Sequence, residues 1–253
     1  MKFFCLLLIT TLAAELIVMS GRVLQPDIRL PCNSTLRGTG SDTVIGPNTL
    51  LFGDERTVGD CAITIENLKI ANVVQPTSAL TAAADGPRYF YLTMRNVTFF
   101  RCVMSLAGSA SVGGEVTIER SVIDRTRMSL SHVVIANIMY NDIEKSRLTI
   151  AHNDVARITS NVFAQSKLLL QTEAEPGRML PHLIDVLFNE VHGSNVTLTC
   201  DHTHLITHAH GGGLTAFSRM NATAVGARCH IEWAMPPTYA IPHRTPQPLF
   251  YTL

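Results

Sequence analysis

The stretch that decides the fold is Val116-Thr117-Ile118-Glu119-Arg120-Ser121-Val122-Ile123-Asp124-Arg125-Thr126-Arg127-Met128-Ser129-Leu130. Apolar residues alternate at Val116 and Ile118, recur at Ile123, and alternate again at Met128 and Leu130. A period of two puts one side of each short segment against a core, which is the pattern of half-buried β-strands. Moving on twenty residues, the matching positions hold Ala136, Ile138, Asn141, Ile143, Ser146, Leu148 and Ile150. Another twenty give Ala156, Ile158, Asn161, Phe163, Ser166, Leu168 and Leu170. After twenty-eight more come Ile184, Val186, Asn189, Val191, Ser194, Val196 and Leu198. The extra eight residues fall in Thr172–Met179, where Pro176 and Gly177 read as a loop. Twenty-four residues before the first stretch stand Leu92, Met94, Val97, Phe99, Cys102, Met104 and Leu106, with the extra four in the small-residue loop Gly108–Gly114. Weaker copies run through Ile63–Ile70 and through Phe217, Met220, Ala222 and Ala224.

Each copy reads as three short strands joined by two corners, with Asn or Ser at the first corner, save Val97 in the Leu92–Leu106 copy, and Ser, Thr or Cys at the second. Asn tolerates left-handed backbone geometry, and hydroxyls satisfy amides at bends. A unit this short cannot bury its apolar face alone, so copies must stack on one another. The expected fold is all-β: a right-handed parallel β-helix with rungs of about twenty residues and three strands, and irregular capped ends. Three interior ladders follow: Met94, Ile118, Ile138, Ile158 and Val186; Phe99, Ile123, Ile143, Phe163 and Val191; Met104, Met128, Leu148, Leu168 and Val196. A leucine-rich repeat needs a Leu-x-x-Leu-x-Leu frame that these copies lack. A hairpin sandwich gives no reason for a fixed period. The solenoid is expected over residues 91–225. Residues 21–90 read as an N-terminal cap with the first irregular rungs, and residues 226–253 as a Pro-rich C-terminal tail. Capping is expected because open solenoid ends expose strand edges.

Composition narrows the setting. The chain has 253 residues, and 46% of them are hydrophobic, which is enough for a core. Lys plus Arg and Asp plus Glu number 20 each, so the net charge is zero. That balance speaks against a nucleic-acid partner, which calls for surplus cations. Lys2 followed by an apolar run from Phe3 to Met19 reads as a secretory signal peptide over residues 1–20, with cleavage after Ser20. Glu15 disfavours the run as a membrane anchor, and no later stretch is long and apolar enough to span. Membrane association is therefore expected only through an uncleaved signal or a longer parent protein. In an oxidising compartment Cys32 with Cys61 and Cys200 with Cys229 are disulfide candidates, and Cys102 is left over. Asn33, Asn96, Asn195 and Asn221 each begin an Asn-x-Ser/Thr sequon and are candidate glycan acceptors. The expected location is secreted or cell-surface.

Few motifs carry chemistry. His202, His204, His208 and His210 form two His-x-His pairs ahead of Gly211–Gly213. On a strand each pair shares a face and could offer two imidazoles to Zn or Cu. A carbohydrate-active β-helix enzyme, a polysaccharide lyase or glycoside hydrolase, would need clustered carboxylates. Asp124 and Asp142 sit at near-equivalent corners of successive rungs, with Glu144, Asp154, Asp185 and Glu190 nearby. Arg125, Arg127, Lys145, Arg147 and Lys167 run up the same side. No Asp-x-Asp, Gly-x-Ser-x-Gly or phosphate-binding Gly-x-x-x-x-Gly-Lys occurs. No cofactor and no catalytic residue are expected.

The rung grammar is similar to that of the pectin-lyase-like β-helices. Together with the leader, the Asn-Val-Thr sequons at Asn96 and Asn195 and the scattered cysteines, it resembles the dispersed gene family of trypanosomatid surface proteins. The resemblance covers roughly residues 60–225. It implies a non-catalytic β-helical glycoprotein serving surface interaction or adhesion, with extracellular macromolecules or glycans as partners. This chain is short and lacks the membrane spans of the large members, so the resemblance implies a truncated or secreted copy. That family has no catalytic motif to carry over.

Overall fold

The structure is a computed structural model. It describes residues 15–23, 27–40, 42–46, 49–52, 60–72, 89–107, 113–172, 182–201, 205–214, 219–225 and 229–234. Every regular element among these residues is a β-strand, and every pairing is parallel. On the first face, pairing passes from Glu15–Met19 to Ser34–Gly38, then to Cys61–Ala71, Tyr89–Phe100 and Gly113–Glu119. It continues through Ile135–Met139, Val155–Thr159, His182–His192, Leu205–Leu214 and Cys229–Ala234. The second face stacks the far ends of the long strands with Val122–Asp124, Asp142–Glu144 and Val162–Ala164. The third face stacks Val103–Ala107, Arg127–Ser131, Arg147–Ala151, Lys167–Thr172, Asn195–Asp201 and Arg219–Val225. Asp27–Leu30 pairs with Thr49–Phe52 separately. The described residues form a parallel β-solenoid, with three strands per rung from Tyr89–Phe100 to Asn195–Asp201.

The interior follows the repeat residue for residue. Met94, Ile118, Ile138, Ile158 and Val186 are register partners, as are Phe99, Ile123, Ile143, Phe163 and Val191. Met104, Met128, Leu148, Leu168 and Val196 form the third ladder. All are buried. Each side chain sits on a like-shaped neighbour about 4.8 Å away and contributes roughly 1.5–3 kcal/mol by leaving water. Pairing also extends beyond the span where the repeat is clear. It begins at Glu15, inside the stretch read as a leader, and reaches Ala234. The remainder of the expected leader, residues 1–14, and of the expected Pro-rich tail, residues 235–253, lies outside the described residues.

At the corners the structure corrects one expectation. The ladder asparagines Asn141, Asn161 and Asn189 do not take left-handed geometry. The residues before Asn141 and Asn161 do: Tyr140 has φ 57° and Ser160 φ 55°. The second corner likewise places Arg101, Arg125, Lys145, Gln165 and Gly193 at positive φ. An L-residue pays about 1–2 kcal/mol for this conformation. In return its amide joins the ladder, as when Tyr140 N–H donates to the Thr159 carbonyl at 3.1 Å and Lys145 N–H to the Ala164 carbonyl at 2.9 Å.

The buried Asn and Ser/Thr residues serve the amide that follows each left-handed residue. Asn141 Oδ1 accepts from Ser121 N–H, Asn161 Oδ1 from Asn141 N–H and Asn189 Oδ1 from Asn161 N–H, each at 2.9 Å. Hydroxyls repeat the device at the second corner. Thr126 Oγ1 accepts from Cys102 N–H, and Ser146, Ser166 and Ser194 Oγ accept from the amides of Thr126, Ser146 and Ser166. Burying these polar side chains is tolerable because each is hydrogen-bonded. Near the start of the solenoid the Cys32–Cys61 disulfide forms across a separation of 29 residues. Cys102 is a buried thiol whose Sγ donates toward the Ile70 and Phe100 carbonyls. Cys200 and Cys229 lie on third-face and first-face strands, and their side chains are outside the described residues.

Candidate functional site

Interior polar groups are committed to the ladders, so chemistry directed outward must come from the outward columns. On the first face one column reads Arg37, Glu66, Arg95, Glu119, alternating in sign from rung to rung. The Glu66 side chain is only 3% exposed. It pairs with Arg37 on one side and with Arg95 at 2.6 Å on the other. Burial pushes the Glu66 carboxyl up, but hydrogen bonds and charge from the two guanidinium groups outweigh it and hold the carboxyl below its ordinary value. The neighbouring column stacks Thr35, Thr64, Thr93 and Thr117. Tyr89 lies over Gly113, where an added Cβ would meet the ring at 2.7 Å. Burial, then Glu115, Tyr91 and Asp154, push the Tyr89 hydroxyl up.

The carboxylates do not converge. Asp124 is the register partner of Glu144, and Asp142 that of Val122, so Asp124 and Asp142 occupy different columns rather than equivalent corners. Asp124 lies three residues past Ser121 and Asp142 one past Asn141, so the twenty-residue register sets them two positions apart. Asp124 lies 3.8 Å from Arg125, and Glu144 pairs with Lys145. The Lys145 hydrogen bond and charge lower the Glu144 carboxyl. Glu190 follows Val162 in the Asp142 column, and Asp185 is opposite Arg157 on the first face. Asp154 is buried immediately before the first-face strand Val155–Thr159. Among the described residues no group of three or more His, Cys, Asp or Glu side chains is placed to hold a metal ion. His202 and His204 lie outside the described residues. His208 and His210 lie on Leu205–Leu214, with side chains outside them.

The glycan acceptors fall in different settings. Asn33 is exposed at φ 58° beside the disulfide, and its Oδ1 accepts from Ala62 N–H at 3.4 Å. Asn96 is exposed at φ 51°, with Nδ2 donating to Asn67 Oδ1 at 2.7 Å. Asn195 opens its third-face strand, half-buried and in register with Lys167. Asn221 lies on Arg219–Val225, its side chain outside the described residues.

The third face gathers what the sequence left as a loose basic side. Val103, Arg127, Arg147, Lys167 and Asn195 form one outward column in direct register. Arg127, Arg147 and Lys167 are exposed. None has a carboxylate within ion-pair distance among the described residues. Two positions along the same strands, Ser105, Ser129 and Thr149 form a parallel column of hydroxyls. Like charges stacked at about 4.8 Å repel by about 1 kcal/mol per neighbouring pair in water. The Arg37–Glu66–Arg95–Glu119 column avoids that cost and this one does not. The Glu66 cluster escaped sequence reading because its partners lie 29 residues away on each side (Arg37 to Glu66, Glu66 to Arg95), outside the twenty-residue repeat. Among the described residues no helix is long and apolar enough to cross a membrane. No protein-family model, no curated protein and no solved structure matches the chain.

Proposed function

We propose that this chain is a secreted or cell-surface β-helical glycoprotein with a non-catalytic role in interaction or adhesion. In rung grammar it is akin to the pectin-lyase-like helices and, among them, to the dispersed gene family of trypanosomatid surface proteins. The observation that carries the reading is the division of its polar side chains. The inward ladder residues Asn141, Asn161, Asn189, Ser146, Ser166 and Ser194 are spent on the next rung's amides. The outward ones form straight columns of fixed spacing across consecutive rungs, which suit contact with an extended partner. The Cys32–Cys61 disulfide agrees with an oxidising compartment, and the sequon residues Asn33 and Asn96 are exposed.

The test is expression of the full chain in secretory eukaryotic cells. The expected result is protein in the medium, a mobility shift on glycosidase treatment that is reduced in Asn33→Gln/Asn96→Gln, and no new reducing ends or unsaturated products from acidic or neutral polysaccharides with or without Ca²⁺. Retention of reduced, unglycosylated protein in the cytosol would overturn the assigned compartment. Product formation would overturn the non-catalytic role.

A further inference from the structure

We propose that the third face holds a binding site for a linear polyanionic polysaccharide, formed by Arg127, Arg147 and Lys167 with the hydroxyls of Ser129 and Thr149 beside them. The inference deepens the interaction role proposed above and rests on it. Its first support is register. Arg127 pairs with Arg147 and Arg147 with Lys167, so one cation stands on each of three successive rungs. Rungs stack about 4.8 Å apart, comparable to the advance per sugar ring along an extended polysaccharide. The three side chains are exposed and without an ion-pair partner among the described residues. Three outward carboxylates are by contrast paired: Glu66 with Arg37 and Arg95, Asp124 with Arg125 and Glu144 with Lys145. Like charges directly opposite on paired strands oppose folding, and an external row of anions removes that opposition.

The second support is the company the cations keep. Ser129 and Thr149 lie two residues beyond Arg127 and Arg147 on the same outward side. A chain lying along the stack meets a charge and a hydroxyl on each of two rungs, which matches a ligand whose units carry both anionic groups and hydroxyls. Arg guanidinium binds sulfate or carboxylate through paired N–H donors. The row is short and straight, and the chain's net charge is zero, which favours a thin linear polyanion over a nucleic-acid duplex that must be gripped by a broad basic surface. The column is bounded by Val103 at one end and by the sequon residue Asn195 at the other.

The test uses the full secreted chain and immobilised heparin, with hyaluronan as a carboxylate-only arm. Heparin retention that weakens with salt is expected. Binding to heparin alone assigns the site to sulfate, and binding to both assigns it to either anion. In Arg127→Thr/Arg147→Thr/Lys167→Thr the affinity falls about tenfold or more, and the slope of log affinity against log salt drops by about two to three. The charge-matched control Arg22→Thr/Arg29→Thr/Arg157→Thr, at three exposed sites elsewhere, keeps its affinity within about threefold. Arg127→Lys/Arg147→Lys keeps the charge but not the paired N–H donors, so its affinity falls less than that of the triple threonine variant. Hydrogen exchange on the unmutated protein gives a readout that does not depend on variant folding: heparin slows amides in Arg127–Ser131, Arg147–Ala151 and Lys167–Thr172. No heparin binding, equal loss in the control, protection on another face, or tighter binding to duplex DNA or anionic vesicles would each overturn the proposal. Secreted, glycosylated protein giving any of these results would leave the broader interaction role standing, whereas cytosolic retention or sugar cleavage would remove that role itself.

Discussion

Replacing Asn161 by Ala should cost far more than its size suggests. Asn161 is 1% exposed. Its Oδ1 accepts from Asn141 N–H at 2.9 Å and from Asn141 Nδ2 at 3.0 Å. Its Nδ2 donates to the Ile138 carbonyl at 2.8 Å and to Asn189 Oδ1 at 3.0 Å. Truncation leaves Asn141 Nδ2 its bond to the Ile118 carbonyl, and Asn189 Oδ1 its bond from Asn161 N–H. The Asn141 backbone N–H loses its side-chain acceptor in a dry corner, at about 1–3 kcal/mol, and the other lost bonds add about 0.5–1.5 kcal/mol each. The terms sum to about 2.5–7.5 kcal/mol, and bonds of one network do not add in full, so the expected loss is about 3–5 kcal/mol, with Thr159→Ala on the outward side staying within about 0.5 kcal/mol. Urea unfolding followed by circular dichroism reads the total. A solenoid need not unfold in one step, so hydrogen exchange at the Asn141 amide supplies the local reading: its protection should collapse in Asn161→Ala. A loss below about 0.5 kcal/mol with Asn141 still protected would refute the argument that this ladder satisfies the corners.

Three further outcomes follow from the same geometry. The lowered Glu66 carboxyl makes stability depend on acid: its contribution is complete above the unfolded carboxyl range near pH 4.3 and is lost as pH falls through the lower folded value. Because Arg37 and Arg95 are half exposed, Glu66→Gln should cost only about 1–2 kcal/mol at neutral pH. It should also flatten the melting-temperature profile below about pH 5. Tyr140, at φ 57° and 59% exposed, stands in the corner column where Asn67 and Asn96 take the same geometry. Tyr140→Asn should therefore raise stability by about 0.5 kcal/mol in a thermal melt, and a decrease would show that the ring carries unrecognised packing. Phe163 is 1% exposed between Ile143 and Val191, so Phe163→Ala should cost about 3–5 kcal/mol by urea titration, and a cost under about 1 kcal/mol would mean the interior ladder is not packed as described.

The interior was legible because it has one rule: each buried position repeats with its own kind. The ladders through Ile118, Ile123 and Met128 could be written from spacing alone, and the registers reproduce them. The corners were half legible. Periodicity locates Asn141 between strands but does not say which of Tyr140 and Asn141 turns. Asn is the better left-handed residue in isolation, yet a buried amide in need of an acceptor makes the same side chain more useful one position later. Where a corner has no such ladder residue, as at Asn96 before Val97, the Asn does take positive φ and Val97 N–H is served by Ser121 Oγ from the next rung. The early rungs were least legible because their spacing changes: nineteen residues from Glu15 to Ser34, twenty-nine from Ser34 to Ile63 and from Ile63 to Leu92, then twenty-four from Leu92 to Val116. Insertions between strands leave the stacked positions alone but erase the period.

The same contrast bears on where function is written in such a chain. An inward position answers to the rungs above and below it, so its identity reports packing. An outward position answers to its column neighbours only through charge and shape, and the cheapest solution for charge is alternation, as Arg37, Glu66, Arg95 and Glu119 adopt. Arg127, Arg147 and Lys167 depart from that solution on three successive rungs of the third face. Their repulsion is screened by salt and is small against the interior ladders, so the fold can carry it without needing it. A cost that the fold tolerates and does not use is a reason to look outside the chain for what the column meets.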